Sequence, residues 1–319
     1  MSQDDFAHPF DWTGPTFDPN DEHFGDVVEN ATLADAENYT TVLVGEPYDG
    51  GQVSVRGAAL GPEGLRQGFA ETKTCNLNHG PVTNVGDLGD VEVPWGRDVV
   101  ETQSYLKEVT KEVHELDTVP VFMGGGHDLG YPNSRPLVDL HDSVAIINFD
   151  AHADVREVFD KPYNGSPFRQ VLEEGMDDYA FVGGRHHETS TSYVNWMRER
   201  DHKIIPSEEV GADPVGSTEE AIESVGDVDA IHVSCDLDVL DMTAAPATTA
   251  PTPGGLTTRE LYTCLRTVAR DPRVVSFDII GCAPPLESGT QRLMSANVGR
   301  TAIAGARAIA NVMAGVQQR

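Results

Sequence analysis

The stretch SVAIINFDAHADVRE, Ser143 to Glu157, decides how the rest of the chain is read. Its first half, Val144-Ala145-Ile146-Ile147, is apolar without alternation, as in a strand buried on both faces. Its second half places Asp150, His152 and Asp154 at every other position. In extended backbone, residues i, i+2 and i+4 point to one face and can converge on one point. Such a triplet is either a metal site in outline or a strand end whose polar residues meet water.

The first half has counterparts along the chain. The apolar runs TTVLVG, TVPVFMG, YAFVGG, AIHVSCDLD and VVSFDIIG alternate with segments of helical periodicity such as VVETQSYLKEVTKEVHEL, TSYVNWMRERD and TTRELYTCLRTVARD. Apolar strands separated by helix-length segments predict a mainly parallel sheet covered by helices on both faces, a single α/β domain over residues 41–319. The closing segment GRTAIAGARAIANVMAG reads as a helix of small residues packed closely on that sheet. Residues 1–40, rich in Asp, Pro, Gly and Asn, are expected to form an irregular arm.

The second half has counterparts as well. GGGHDLGYP puts His127 just after the run PVFM, and SCDLDVLD puts Asp236 and Asp238 just after AIHV. Ligands of open parallel sheets bind at the carboxyl ends of strands, so the three clusters are expected to meet in one crevice. His127, Asp150, His152, Asp154, Asp236 and Asp238 together offer two imidazoles and four carboxylates. That is too many donors for one tetrahedral zinc and includes no thiolate, whereas it suits a pair of harder divalent ions. The expectation is two Mn2+ per chain. A pair of ions roughly 3.5–4 Å apart makes water a nucleophile at neutral pH, which is machinery for hydrolysis.

Composition narrows the partners. With 52 Asp and Glu against 22 Lys and Arg, the formal charge of −30 repels nucleic acid and anionic membranes. The acids are interleaved with periodic apolar segments, as on a folded surface, and are read as adaptation to a cytoplasm of very high salt. No apolar stretch reaches the length of a membrane span, and MSQDDFAHPFDWTG lacks the order of a signal peptide, so a cytoplasmic location is expected. Cys75, Cys235, Cys264 and Cys282 lack C-x-x-C spacing and read as small buried apolar residues.

GGGHD, DAHAD and SCDLDVLD, followed by APATTAPTPGGLT and preceded by GEPYDGGQVSVRGAALGPEGLR, resemble the signatures of the ureohydrolase family of arginases, agmatinases and formimidoylglutamases. The resemblance implies an arginase-like three-layer αβα fold, a binuclear manganese centre held by the six residues already named, and hydrolysis of a carbon–nitrogen bond in a small amidine or guanidine. It also implies a homo-oligomer, trimer or hexamer. DVREVFDKPYNGSPFRQ is similar to the formimidoylglutamase pattern, in which an Arg follows the ligand triplet and a G-[ST]-P-F-R-Q segment comes soon after. Agmatinases carry a His where Asn164 stands.

N-formimidoyl-L-glutamate has two carboxylates, and the guanidinium fork of Arg matches a carboxylate bidentately. Arg156 and Arg169 are therefore expected to receive substrate, with Asn164 and Ser166 beside them, and Asp154 to pass a proton to the departing amine. One departure stands out: in FDIIGCAPPLE the family shows an acidic residue where this chain has Gly281, and Glu287 or a backbone carbonyl is the expected substitute. GGRHHETS follows another apolar run, and its two histidines border the same crevice. The alternatives are another ureohydrolase, acting on agmatine or a guanidino acid, and an inactive metal-binding relative.

Overall fold

The computed structural model describes residues 6–7, 10–15, 17–94, 96–287, 291–293 and 296–319. Nine strands form the central sheet: β1 (Glu29–Asn30), β2 (Thr41–Glu46), β3 (Val85–Asp90), β4 (Val119–Gly124), β5 (Val144–Phe149), β6 (Asp178–Gly184), β7 (Lys203–Pro206), β8 (Ala230–Asp236) and β9 (Val274–Ile280). They lie in the order β1-β3-β2-β4-β9-β8-β5-β6-β7, and each neighbouring pair is parallel.

Both faces are covered, which is why the strands are apolar throughout rather than alternating. Leu43, Ala145, Ile147, Val233 and Phe277 face one core, shared with Leu65, Leu261, Leu265, Ile309 and Val312 from the helices Gly61–Ala70, Thr258–Val268 and Arg300–Val316. Their sequence neighbours turn the other way. Val42, Val44 and Phe122 meet Leu106 and Val109 of the helix Val99–His114, while Val144 and Ile146 meet Leu137 of Gly130–Leu140 and Phe168 of Pro167–Glu173. This is the three-layer αβα arrangement expected. The closing helix packs as its small residues allow: a Cβ added at Gly305 would lie 2.4 Å from Leu65 and 2.8 Å from Leu237.

The stretch 1–40, expected to be irregular, holds regular structure among its described residues. Phe24–Val27 is a helical turn whose Phe24 stacks on Phe69 at 4.0 Å, and Glu29–Asn30 pairs with Gly86 and Asp87 as the edge of the sheet. Strand β3 also lay outside the apolar runs. Its sequence VGDLGD carries Asp87 in the sheet interior, where Arg66 meets it with two hydrogen bonds of 2.9 Å and Trp12 with one of 3.0 Å. A buried ion pair adds to the packing of Val85 and Leu88 in holding that strand.

Candidate metal centre and substrate cavity

Strands β4, β5 and β8 end on the same edge of the sheet, and the six expected ligands meet there. His127 follows β4 in a short 3-10 turn, Asp150 directly follows β5, and Asp236 is the last residue of β8. The Nδ1 of His127 lies 3.0 Å from Asp150 Oδ2, 2.9 Å from Asp154 Oδ2 and 3.5 Å from Asp236 Oδ2. The Nδ1 of His152 lies 3.2 Å from Asp238 Oδ2 and 3.5 Å from Asp150 Oδ1. Two groups of metal-ligand geometry result, His127–Asp150–Asp154 and Asp150–His152–Asp238, and Asp150 belongs to both.

The donor set fits a pair of cations. Among the described residues none of these four carboxylates pairs with a lysine or arginine, and the buried His127 Nδ1 makes no well-directed hydrogen bond despite its three oxygen neighbours. Burial, reinforced by the charge of Asp238, pushes Asp236 well above the ordinary carboxylate range. Burial and the charge of Asp150 push Asp238 up to about 6. Burial opposes charge on His152, but Asp238 and Asp150 outweigh it and raise the imidazole to about 12. Divalent ions bound by neutral imidazoles and ionised carboxylates resolve that opposition.

The surrounding shell aims the ligands. His127 Nε2 is 3.0 Å from Ser234 Oγ, and Ser234 donates to Asp278 Oδ1 at 2.6 Å. Asp278 also meets His232 Nε2 at 3.1 Å, so this chain of contacts runs through the sheet interior. On β5, Asn148 Nδ2 donates to Asp150 Oδ2 at 3.3 Å and to the Tyr179 hydroxyl at 3.0 Å. Tyr179 in turn donates to the Ala153 carbonyl at 2.6 Å. That bond holds the peptide before Asp154, whose φ of +45° is left-handed and unfavourable for a non-glycine residue. Arg185 is buried and donates to the backbone carbonyls of Asp238 and Thr252, tying a ligand to the loop after it. Apart from Arg185, which follows a strand, these partners are buried polar residues inside apolar runs, the one sequence signal that could have found them.

A cavity of about 60 Å³ adjoins the cluster, lined by His152, Asp154, Arg156, Glu188 and Tyr193 among others. Arg156 thus shares this cavity with His152 and Asp154. Its backbone N–H donates to Gly165 O at 2.9 Å, and a Cβ on Gly165 would lie 2.8 Å from Arg156 Cδ. Asn164 and Ser166 are placed differently from the expectation. The Asn164 side chain accepts from the Val53 N–H at 3.4 Å, and Ser166 Oγ donates to Tyr163 O at 2.9 Å, so both shape the segment behind Arg156 and neither lines the cavity. Arg169 departs further. Its guanidinium stacks on Trp196 at 4.2 Å and pairs with Glu173 one helical turn on, because Pro167–Glu173 is a helix and its fourth residue neighbour is an acid.

In GGRHHETS the histidines are not the residues that face the site. His186 is exposed and meets Glu208 at 3.1 Å, whereas Glu188 Oε2 lies 3.6 Å from His152 Nε2. Glu287, a candidate substitute for the missing acid, accepts from the N–H groups of Arg300 and Thr301 at 2.9 and 3.3 Å and so caps the closing helix. Gly281 sits at the end of β9, between β4 and β8, with φ +81°, and a Cβ there would lie 2.3 Å from Asp236 Oδ1. A side chain there would be strained by the left-handed backbone and would have to displace the Asp236 carboxylate.

The arginase family model matches residues 39–315. The chain belongs to the arginase family. Within it, the chain is 44% identical over 316 residues to a formimidoylglutamase of Halobacterium salinarum, covering 98% of this chain and 100% of that one. It is 30% identical over 261 residues to a formimidoylglutamase of Bacillus subtilis, covering 77% and 80%. The arginase fold is shared with the solved Bacillus subtilis formimidoylglutamase at a TM-score of 0.85, with 24% identity and coverage of 95% of this chain and 94% of that one. A formiminoglutamase of Trypanosoma cruzi, solved with Mn2+, superposes with a TM-score of 0.79 at 23% identity over 91% and 99% of the two chains.

Proposed function

We propose that this protein hydrolyses N-formimidoyl-L-glutamate to L-glutamate and formamide, a step of histidine breakdown, using two Mn2+ per chain. The observation that carries the substrate assignment is Arg156 in the wall of the cavity beside Asp154 and His152. A guanidinium there can receive a substrate carboxylate while the reacting carbon lies against the ligand cluster. The Halobacterium relative named formimidoylglutamase supports the same reading.

His127, Asp150, Asp154 and Asp236 would hold one ion, and Asp150, His152, Asp236 and Asp238 the other. The ions, when bound, supply an acidified water as nucleophile and positive charge where negative charge develops on attack. Asp154 stands between the cluster and the cavity, where its carboxylate can carry a proton to the departing amine. The left-handed backbone at Asp154, fixed through Tyr179 and Ala153, sets that carboxylate's direction. Arg156 orients the substrate and is itself braced by the segment through Gly165.

Manganese is favoured by the oxygen and imidazole donor set and by the Trypanosoma cruzi structure solved with Mn2+. A cytoplasmic, high-salt setting is favoured by the charge of −30, and among the described residues no helix is long and apolar enough to cross a membrane. A single catalytic domain from residue 41 and assembly into trimers or hexamers follow the family resemblance. The test is turnover by manganese-loaded protein over a panel of formimidoylglutamate, agmatine, arginine and guanidino acids. Formimidoylglutamate should give the highest kcat/KM. Preference for agmatine would return the site to the alternative ureohydrolase reading, and no turnover of any of them would favour an inactive relative.

A further inference from the structure

An amidine offers N–H donors on both nitrogens and becomes a planar cation when protonated. To hold its carbon against the ligand cluster, the wall should supply an acceptor outside the ligand set, since donors left unpaired on binding are costly. Position 281 supplies no side-chain acceptor, because it is a glycine in left-handed backbone. Glu287 is 3% exposed and holds the amino end of the closing helix. Glu208 is drawn to His186 at the surface. Among the described carboxylates lining the cavity, Glu188 is the one outside the proposed ligand set. It is 26% exposed, so a ligand can reach it, and 3.6 Å from the outer nitrogen of His152, so it lies against the cluster.

From this geometry we infer that Glu188 receives the amidine nitrogens of the substrate. The inference rests on the proposed amidine hydrolysis and assigns the end of the substrate opposite to Arg156. The cavity is then polarised, with an acid for the amidine and a guanidinium for a carboxylate, and a substrate charged positively at one end and negatively at the other can enter in one sense only. Agmatine, cationic at both ends, would place an ammonium against Arg156.

Two half-ligands separate the roles: formamidine, which has the amidine and no carboxylate, and glutarate, which has the carboxylates and no nitrogen. Their inhibition constants are measured on manganese-loaded wild type, Glu188→Gln, Glu188→Ala and Arg156→Ala, with metal content and melting temperature determined for each. Both Glu188 variants should weaken formamidine by roughly tenfold or more while leaving glutarate within about twofold, and Arg156→Ala should do the reverse. Unchanged formamidine binding in both Glu188 variants, equal weakening of both half-ligands, or failure of wild type to bind formamidine would overturn the inference. So would loss of metal from Glu188→Gln, which would make Glu188 a positioning residue for His152. A wild type that turns over some other amidine or guanidine best would refute the substrate proposal and leave this contrast intact.

Discussion

At the carboxyl ends of β5 and β8 the register of the sheet dictates where the first polar side chain goes, whereas in the segment 156–169 similar side chains go to different tasks. Asp150 must project beside Asp236, because their strands pair residue for residue from Ala230↔Val144 to Cys235↔Phe149. The ladder ends at Phe149, and the segment 156–169 lies on no strand. There Arg156 lines the cavity, Asn164 and Ser166 bond to backbone, and Arg169 is drawn away by Trp196 and Glu173. A side chain next to a paired strand end is therefore placed more tightly than one on the loop that follows.

The largest effect should come from the sheet edge. Asp236→Ala removes a carboxylate next to His127 without touching the apolar cores, so turnover should fall by roughly a thousandfold or more while circular dichroism stays native. Retained activity would break the comparison at its stronger side. The loop is tested by its two arginines. Arg156→Ala should cost roughly tenfold or more in kcat/KM for formimidoylglutamate, on the order of 1.5–3 kcal/mol for a charge-assisted contact. Arg169→Ala should leave kcat/KM within about twofold and lower stability by about 0.5–1 kcal/mol, as expected for a partly exposed ion pair and a cation–π contact. Equal catalytic losses in the two variants would mean that both arginines reach the substrate.

Between these extremes stands Tyr179→Phe, which deletes one hydroxyl and with it the bond to the Ala153 carbonyl. Turnover or manganese affinity should fall about tenfold with KM little changed, since the loss acts through the direction of Asp154. A change in melting temperature alone would assign Tyr179 to packing.

The smallest catalytic effect is expected at Glu46, the last residue of β2. Burial raises its carboxyl to about 8, against a 2.9 Å hydrogen bond from Asn133 that favours the ionised form. The folded state thus keeps a proton that the unfolded chain releases in the ordinary carboxylate range. Its contribution to stability is present in full at low pH and is lost as pH rises toward and through 8. Denaturant titrations of Glu46→Gln should show a flatter decline in stability between about pH 5 and pH 9 than wild type. An unchanged slope would place the ionisation elsewhere.

What the sequence made legible follows the same division. The apolar runs match six of the nine strands because those strands are buried on both faces, and the six candidate ligands were legible because each comes at or just after the end of such a run. Strand β3 is not legible as an apolar run because Asp87 interrupts it, and only the fold brings Arg66 to that carboxylate. Glu188 escaped because it lies on a loop that turns through His187 at φ +73°, a direction no periodicity encodes. Arg169 was misplaced for another reason. Its partner Glu173 was visible four residues on, and local helix pairing outweighed the likeness of the motif.

The central claim is that one cluster of strand-end ligands holds two ions and that hydrolysis depends on both. Manganese is added stepwise to protein first stripped with a chelator, with bound metal and formimidoylglutamate turnover measured on the same samples. The account predicts two ions per chain, and activity that rises with the second and disappears on renewed chelation. Saturation at one ion per chain, or turnover that survives removal of the metal, would contradict it.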